Sequence, residues 1–265
     1  MPMLSTQLKS FLDAQVLRYN RVDFIAADPI AIPHAYRKRQ DIEIAGFLAA
    51  TLAWGQRQVA MRKCRELLGF MDQAPYDFVM HHQPHDLKAL HRFRHRTFQP
   101  TDALYFMRFL QHYYRQYDTL ETAFTMGLPA ADGDVEAGLV HFHELFFSLP
   151  DHPMRTRKHV PTPRRKAPCK RLNMFLRWMV RQDTQGVDLG LWKNIQPRQL
   201  VCPCDVHVAR VSRQLRLLQR TRTDWPAAQE LTRALRQLSP EDPVQYDFAL
   251  FGLGIQGAQG LEAYL

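Results

Sequence analysis

The sequence predicts an all-α protein. Apolar residues recur at helical spacing along most of the 265 residues, and strand-like alternation is nearly absent. Proline-rich segments at residues 28–33, 150–168 and 239–243 separate the helical stretches. We expect two helical lobes around a basic cleft within a single unit of residues 1–265, with residues 40–150 as the first lobe and residues 151–255 as the second.

Four segments of the first lobe show helical periodicity. Asp41 to Trp54 is followed by Gly55, a residue type that ends helices in a left-handed cap, and a second helix is expected from about Gln58 to Met71. Thr101-Asp102 predicts the start of a further helix, and His141 to Phe147 predicts a short one.

The second lobe is expected to contain a helix headed by Lys170, with Pro168 in its first turn. The apolar face of this helix consists of Leu172, Phe175, Leu176, Met179 and Val180. Lys170, Arg177 and Arg181 share the opposite face, which we expect to be polar and outside the core. The positive helix end and neighbouring cations favour a neutral amine at Lys170, as a Schiff-base nucleophile requires. An ordinary exposed lysine on a polar face is the alternative.

Asp205 precedes a run with apolar residues at helical spacing, which is typical of a helix N-cap. A carboxylate at a helix start can cap the helix with one oxygen and present the other to a cleft. Capping and catalysis are therefore compatible roles for Asp205. His207, one turn inside the helix, either contacts a phosphate or fills the surface.

The charge distribution favours an anionic partner. The formal net charge is +9, and residues 152–182 contain no aspartate or glutamate. Arg164, Arg165 and Lys166 lie in the middle of this basic segment, where a phosphate backbone would bind chiefly through counterion release. A solvated basic loop is the alternative interpretation.

Cysteine usage and hydropathy predict a reduced protein that is not inserted in a membrane. Cys64, Cys169, Cys202 and Cys204 fit neither a disulfide framework nor a four-ligand metal site. No apolar run approaches the ~20 residues of a membrane span, and residues 1–13 lack the features of a signal peptide. We expect a cytoplasmic monomer with no cofactor and no metal.

Two motifs and the lysine-headed helix between them resemble the helix-hairpin-helix (HhH-GPD) DNA glycosylase superfamily, particularly its 8-oxoguanine branch. The motifs are Pro203-Cys204-Asp205-Val206-His207-Val208 and the segment from Ala49 to Val59. The resemblance spans about residues 40 to 255. It implies that Lys170 attacks C1′ of a damaged nucleoside and that Asp205 assists. It further implies that Gln56 and Arg57 lie in a turn beside the DNA and that His207 lies near a phosphate.

The chain departs from the superfamily at the hairpin. The usual Leu-Pro-Gly-x-Gly turn is absent, and residues 160–168 occupy its place without glycine, so we expect a remodelled hairpin. The separation between Lys170 and Asp205 resembles the archaeal 8-oxoguanine glycosylase pattern, with residues 183–200 as an inserted loop. The signatures Asp28-Pro29, His95 to Phe98 and Asp242 to Gly254 resemble those of an uncharacterised bacterial family related to that archaeal group.

The expected function is therefore that of a base-excision DNA glycosylase with AP lyase activity on a damaged purine such as 8-oxoguanine, acting on duplex DNA. Trp54, Trp192 and Phe251 are candidate platforms for stacking the base. Two alternatives stay open. One is damaged-DNA or RNA binding without turnover. The other is a metal-dependent phosphohydrolase, for which the candidate ligands are His81, His82, His85, Asp86, His91 and His95.

Overall fold

The computed structural model describes residues 5–129 and 133–256 of the chain, and these residues confirm the predicted all-α fold. Within them the only extended pairing is one antiparallel bridge between His95 and Phe98. The described helices are, in chain order, α1 (Thr6–Tyr19), α2 (Arg39–Leu52), α3 (Arg57–Gly69), α4 (Pro75–His81), α5 (Pro100–Tyr114), α6 (Glu121–Thr125), α7 (Glu136–Phe146), α8 (Lys170–Val180), α9 (Val206–Gln214), α10 (Trp225–Leu238) and α11 (Tyr246–Gln256). None of them is long and apolar enough to cross a membrane.

The chain divides into two compact units. Unit 1 combines the described parts of residues 1–24, 129–136 and 162–265, and unit 2 combines residues 25–128 and 137–161. The division therefore falls later than the expected boundary near residue 150. It also places α1, from the beginning of the chain, in the same unit as α8 to α11.

Unit 2 is organised around α2, whose residues from Ile42 to Leu52 are all buried. The ring of Phe47 stacks on Phe106 at 5.4 Å between centroids and meets Phe146 edge-on at 6.0 Å. Phe109 of α5 lies 4.4 Å from Phe146 of α7. These aromatic contacts join α2, α5 and α7 into the core of the unit.

Glu43 is a fully buried carboxylate in this core. It accepts hydrogen bonds from the Tyr114 hydroxyl at 2.9 Å, from the Leu120 amide at 2.9 Å and from the Thr119 hydroxyl. Arg39 adds an ion pair at 3.2 Å from the preceding turn of α2. Because every one of these donors approaches a single side chain, Glu43 connects α2 to α5 and to the segment that leads into α6.

Three of the four helices predicted for the first lobe lie within about two residues of the predicted positions, whereas the short helix predicted at His141 to Phe147 begins earlier, at Glu136. The first predicted helix corresponds to Arg39–Leu52, and Gly55 adopts a left-handed φ of 82° beyond its end without capping it directly. The second corresponds to Arg57–Gly69. The start predicted at Thr101-Asp102 lies at Pro100, where Gln99 and Asp102 form a capping box.

Unit 1 surrounds α8. The predicted apolar face of α8 is buried. On the opposite face Lys170 is partly exposed, but the expectation that Arg177 and Arg181 lie outside the core is wrong, because Arg177 is only 8% exposed and Arg181 only 3%. Pro168 lies ahead of the N-cap residue, Cys169, instead of within the first turn. The loop after α8 folds back on the helix end, since the Leu189 amide donates to the Trp178 carbonyl at 2.8 Å and the Trp192 amide donates to the Met179 carbonyl at 2.8 Å.

The first and last described helices of unit 1 pack against each other. The Tyr246 hydroxyl donates to Asp13 at 2.7 Å. At the crossing of α1 and α11, a Cβ at Gly252 would overlap the ring of Tyr19. Glycine at this position therefore allows the two helices to approach closely.

We predict that Glu43→Ala lowers the free energy of unfolding by about 3 kcal/mol or more, because it removes the shared acceptor of several buried donors. Urea unfolding followed by circular dichroism measures this loss. Glu66→Ala is the control, since Glu66 forms a partly exposed pair with Lys63 at 2.6 Å that contributes less than about 1 kcal/mol. Equal losses in the two variants would contradict the role assigned to Glu43.

Candidate active site

Lys170 is the first residue of α8 and lies at the edge of the unit 1 core. Its N-cap, Cys169, has a left-handed φ of 49° and is buried, which turns the chain sharply into the helix. The Lys170 ammonium nitrogen lies 3.7 Å from the sulfur of Met174, one turn further along α8. The side chain of Lys170 is 24% exposed. The amine is therefore held against the protein while it remains accessible from outside.

Asp205 is the N-cap of α9 and uses its two carboxylate oxygens differently. Oδ1 accepts the amides of His207 at 2.9 Å and of Val208 at 3.0 Å. Oδ2 lies 3.8 Å from the Nζ of Lys170. The structure thus brings the two predicted catalytic residues together at the starts of α8 and α9, and capping fixes the orientation of the carboxylate.

The predicted phosphate-binding residues of unit 1 lie on exposed positions near these helix starts. His207 is exposed in the first turn of α9. Arg164, Arg165 and Lys166 are exposed in the segment that precedes α8. There, Thr162 caps a 3-10 turn at Pro163–Arg165, and Lys166 follows it with a left-handed φ of 58°. This turn lies within residues 160–168, for which the sequence led us to expect a hairpin without glycine.

Gln56 and Arg57 belong to unit 2, at the corner between α2 and α3. Gln56 is exposed and is the N-cap residue of α3. The guanidinium of Arg57 contacts the carbonyl of Ala27 at 3.4 Å. Both residues therefore lie on the surface of their own unit, at a turn between two helices as predicted.

The basic segment is less available to a ligand than its composition indicates. Arg155 forms an ion pair with the buried Asp102, and Arg157 lies over the ring of Phe147 at 5.7 Å. Arg177 and Arg181 are buried in internal ion pairs. The part that faces solvent near Lys170 is therefore the short turn at residues 164–166.

The ion pairs of the two buried arginines form one network in unit 1. Asp188 is fully buried and pairs with Arg177 at 3.2 Å and with Arg181 at 3.1 Å. Arg181 also pairs with Asp242 at 2.8 Å and with Asp183 at 2.6 Å. The network ends at α1, where the amide of Asn20 donates to Asp183 at 2.6 Å.

Asp247 of α11 also belongs to this network, and the sequence did not single it out. It pairs with Arg177 and is 5% exposed. Burial raises the pKa of Asp247 to about 6, although the charges of Arg177 and Lys170 oppose this rise and that of Asp205 adds to it. A buried acid with a raised pKa is thus electrostatically linked to both Lys170 and Asp205. The only signal in the sequence was its place in the segment from Asp242 to Gly254.

Of the three candidate stacking platforms, Trp192 does not qualify. It is 1% exposed and meets the ring of Phe175 edge-on at 5.3 Å, so it is part of the core. Trp54 is partly exposed in unit 2, 4.8 Å from the ring of His95 and 5.7 Å from that of His159. Phe251 is partly exposed on α11 in unit 1.

No group of three or more potential metal-binding side chains occurs within the described parts of the chain. The histidines proposed as ligands have other contacts: His81 meets Asp77 at 3.0 Å, and the buried His95 lies 3.1 Å from the carbonyl of Leu52. All four cysteines are buried and unbonded to one another, as predicted for reduced structural residues. Burial raises the pKa of Cys204 to about 12, which disfavours a thiolate beside Asp205.

The chain belongs to the family described as "Protein of unknown function (DUF2400)", whose model matches residues 28–256. The match includes Lys170, Asp205 and all the ion-paired residues of the network, but not Asn20. Searches of the curated proteins and of the solved structures gave no match. The argument for a function therefore depends on the site itself.

The raised pKa of Asp247 predicts a pH-dependent contribution to stability. The folded protein binds the proton of the Asp247 carboxyl group more tightly than the unfolded chain does, because in the unfolded chain the pKa of this group is near the ordinary 3.8. The contribution of protonated Asp247 to the free energy of unfolding is therefore complete below pH 3.8 and is lost as the pH rises through about 6. We expect the stability of the wild type relative to Asp247→Asn to fall by roughly 1 kcal/mol between about pH 5 and about pH 7.5. Urea unfolding at both pH values measures it.

Asp224→Asn is the matched control for this experiment. A hydrogen bond from Arg220 lowers the pKa of Asp224, so its contribution is lost only as the pH falls below the ordinary range of an aspartate. The stability difference between wild type and Asp224→Asn should be the same at the two pH values. A wild-type advantage over Asp247→Asn that does not change with pH would contradict the assignment of a raised pKa to this buried acid.

Proposed function

We propose that the chain is a DNA glycosylase of the HhH-GPD type that removes a damaged purine, such as 8-oxoguanine, from duplex DNA and has AP lyase activity. Lys170 is the nucleophile in this proposal, and Asp205 is the acidic partner. The observation that carries the proposal is the 3.8 Å approach of Lys170 Nζ to Asp205 Oδ2, with both groups partly exposed at the starts of two helices.

The covalent step requires an amine close to a carboxylate. Lys170 first gives up its proton to solvent, so that Asp205 stays a carboxylate, and the nitrogen of Lys170 then attacks C1′ of the extruded nucleoside. The new C1′–N bond replaces the glycosidic bond, whose electron pair leaves with the purine and takes up a proton. Opening of the C1′–O4′ bond converts the product into an imine between Lys170 and the sugar.

Asp205 also suits the electrostatic demand of this step. Positive charge develops on the sugar as the glycosidic bond lengthens, and a carboxylate held nearby stabilises that charge. Because Oδ1 accepts two backbone amides, the side chain does not need to reorganise during the reaction. Such preorganisation is the main way in which fixed charges accelerate a reaction.

The surrounding cations support a nucleic acid as the substrate. His207 and the turn at Arg164, Arg165 and Lys166 are exposed in the same unit as Lys170 and Asp205. Cations on either side of a reactive pair can hold phosphates that flank an extruded nucleotide. The proposal also assigns DNA contact to Gln56, which is exposed, and to Arg57, which is partly exposed, at a turn of unit 2.

Borohydride trapping on duplexes that carry one damaged purine, beginning with 8-oxoguanine, tests the proposal. Borohydride reduces an imine to a stable amine, so we expect the wild type to give a covalent protein–DNA band and to release the free base. Lys170→Ala should give no band, because the nucleophile is missing. Lys193→Ala, which removes an exposed lysine of the same unit, should trap like the wild type and is the matched lysine control.

Asp205→Asn tests the second residue without removing the helix cap, since asparagine caps helices as well as aspartate does. We expect base release to slow by about 100-fold or more, in the range found when one preorganised electrostatic group is removed. Asp224→Asn, at the cap of α10, is the control and should keep the wild-type rate.

Two outcomes would reject the proposal. One is trapping by Lys170→Ala at the wild-type level. The other is a wild type that neither traps nor releases a base from any damaged duplex, under conditions in which a known lyase traps. Salt-dependent binding without product would then favour a protein that recognises damaged DNA or RNA without turnover.

A further inference from the structure

The end of α9 and the start of α10 carry exposed cations that the site described above does not use. Arg216 and Arg222 are exposed in the segment at residues 215–224 that joins the two helices. Arg165 and Lys166 are exposed in the turn before α8. The amide of Trp225 donates to the carbonyl of Lys166 at 3.0 Å, which places that turn beside the start of α10. We call these four cations the cationic surface.

The acids near the cationic surface are occupied by other groups. Asp224 forms two hydrogen bonds with the Arg220 guanidinium, at 2.6 and 2.7 Å, and caps α10. Glu230 accepts the amide of Gln219 at 2.6 Å. No ion pair joins Arg165, Lys166, Arg216 or Arg222 to another residue in the part of the chain that the structure describes. Their charges are therefore available to an external anion.

Two of the four cations occupy backbone conformations that favour glycine. Lys166 has a φ of 58° and Arg216 has a φ of 55°. Arg216 stands just after the C-cap of α9, a position that glycine usually fills, and the turn is closed by the amide of Leu217 donating to the Ser212 carbonyl at 2.8 Å. Long cations in place of glycine carry a backbone cost, which points to a use for their side chains.

Arg213 fixes the segment that presents these side chains. Its guanidinium donates to the carbonyls of Arg220 at 2.9 Å and Thr221 at 2.8 Å and to the hydroxyl of Thr223 at 3.3 Å. The segment at residues 215–224 is thus ordered before any partner binds. A preformed surface loses less conformational entropy on binding than a mobile loop does.

We propose that the cationic surface binds the phosphodiester backbone of duplex DNA beside the nucleotide at Lys170 and Asp205. Its placement relative to that nucleotide rests on the proposed function, whereas binding itself does not. From Asp205 to Gln214 the helix rises about 14 Å, which corresponds to about four base pairs of duplex. Arg216 and Arg222 therefore contact phosphates outside the reacting nucleotide and add to affinity without reading sequence.

Fluorescence anisotropy with an undamaged duplex at several salt concentrations tests the surface. In Arg216→Gly and Arg222→Gln, we expect affinity to fall several-fold. The slope of log K against log salt should decrease by about 0.9 for each phosphate contact removed. Arg216→Gly should also unfold at an equal or higher temperature, because glycine relieves the left-handed backbone. A structural role for Arg216 would instead lower the unfolding temperature.

Arg233→Gln is the matched control, since it removes one exposed cation from the regular face of α10 in the same unit. It should keep the wild-type affinity and slope. Wild-type binding by Arg216→Gly together with Arg222→Gln would overturn the proposal. Tighter binding to single-stranded RNA or to anionic phospholipid vesicles than to the duplex would overturn it as well.

The experiment separates this inference from the proposed reaction. Binding to undamaged duplex requires no chemistry, so the anisotropy measurement does not depend on whether the protein traps a damaged one. A protein that binds through the cationic surface but never traps would end the glycosylase proposal and leave the surface assigned. If the protein traps, but substitutions in the cationic surface change neither its affinity nor its salt slope, the glycosylase proposal stands and the cationic surface is rejected.

Discussion

The fold of unit 1 depends on carboxylates that neutralise the charges of two buried arginines. Helix α8 is buried on all sides from Leu172 to Val180, and yet it carries Arg177 among apolar residues and ends at the buried Arg181. An unpaired buried charge is far less stable than a paired one, so the fold must bring carboxylates to α8 from other segments. Asp188 comes from the loop after α8 and Asp247 comes from α11. These pairings fix α8 in position, and Lys170 is positioned because it is the first residue of that helix.

The candidate site results from two helix starts that meet. Each start has a local cause: an unusual left-handed N-cap at Cys169 before α8, and a regular aspartate cap before α9. The single carboxylate of Asp205 satisfies backbone amides with one oxygen and faces the amine of Lys170 with the other. Oδ1 of Asp205 therefore caps the helix, while Oδ2 of the same side chain faces Lys170.

Local patterns in the sequence were sufficient to predict α2, α3, α5, the later part of α7 and the cap at Asp205, but not α4 or α6. The predicted helices and the cap depend on spacing within a few residues, which periodicity and capping rules describe. The same rules failed for α8, because a cationic face at helical spacing normally faces water, and nothing local indicates that acids will cover it. The partners of Arg177 lie 11 and 70 residues away. The core position of Trp192 likewise depends on how the loop folds back over α8, which a local pattern does not encode.

The packing of α1 on α11 has a consequence for the order in which the protein folds. The ribosome makes α1 before α11, so α1 must wait without its native neighbour until the residues between the two helices have been made. Residues 25–161 include all of unit 2, which can collapse early during translation. Tyr19 reaches Gly252 only after α11 has been synthesised. Completion of unit 1, and with it the arginine network that ends at Asn20, therefore comes after the synthesis of α11.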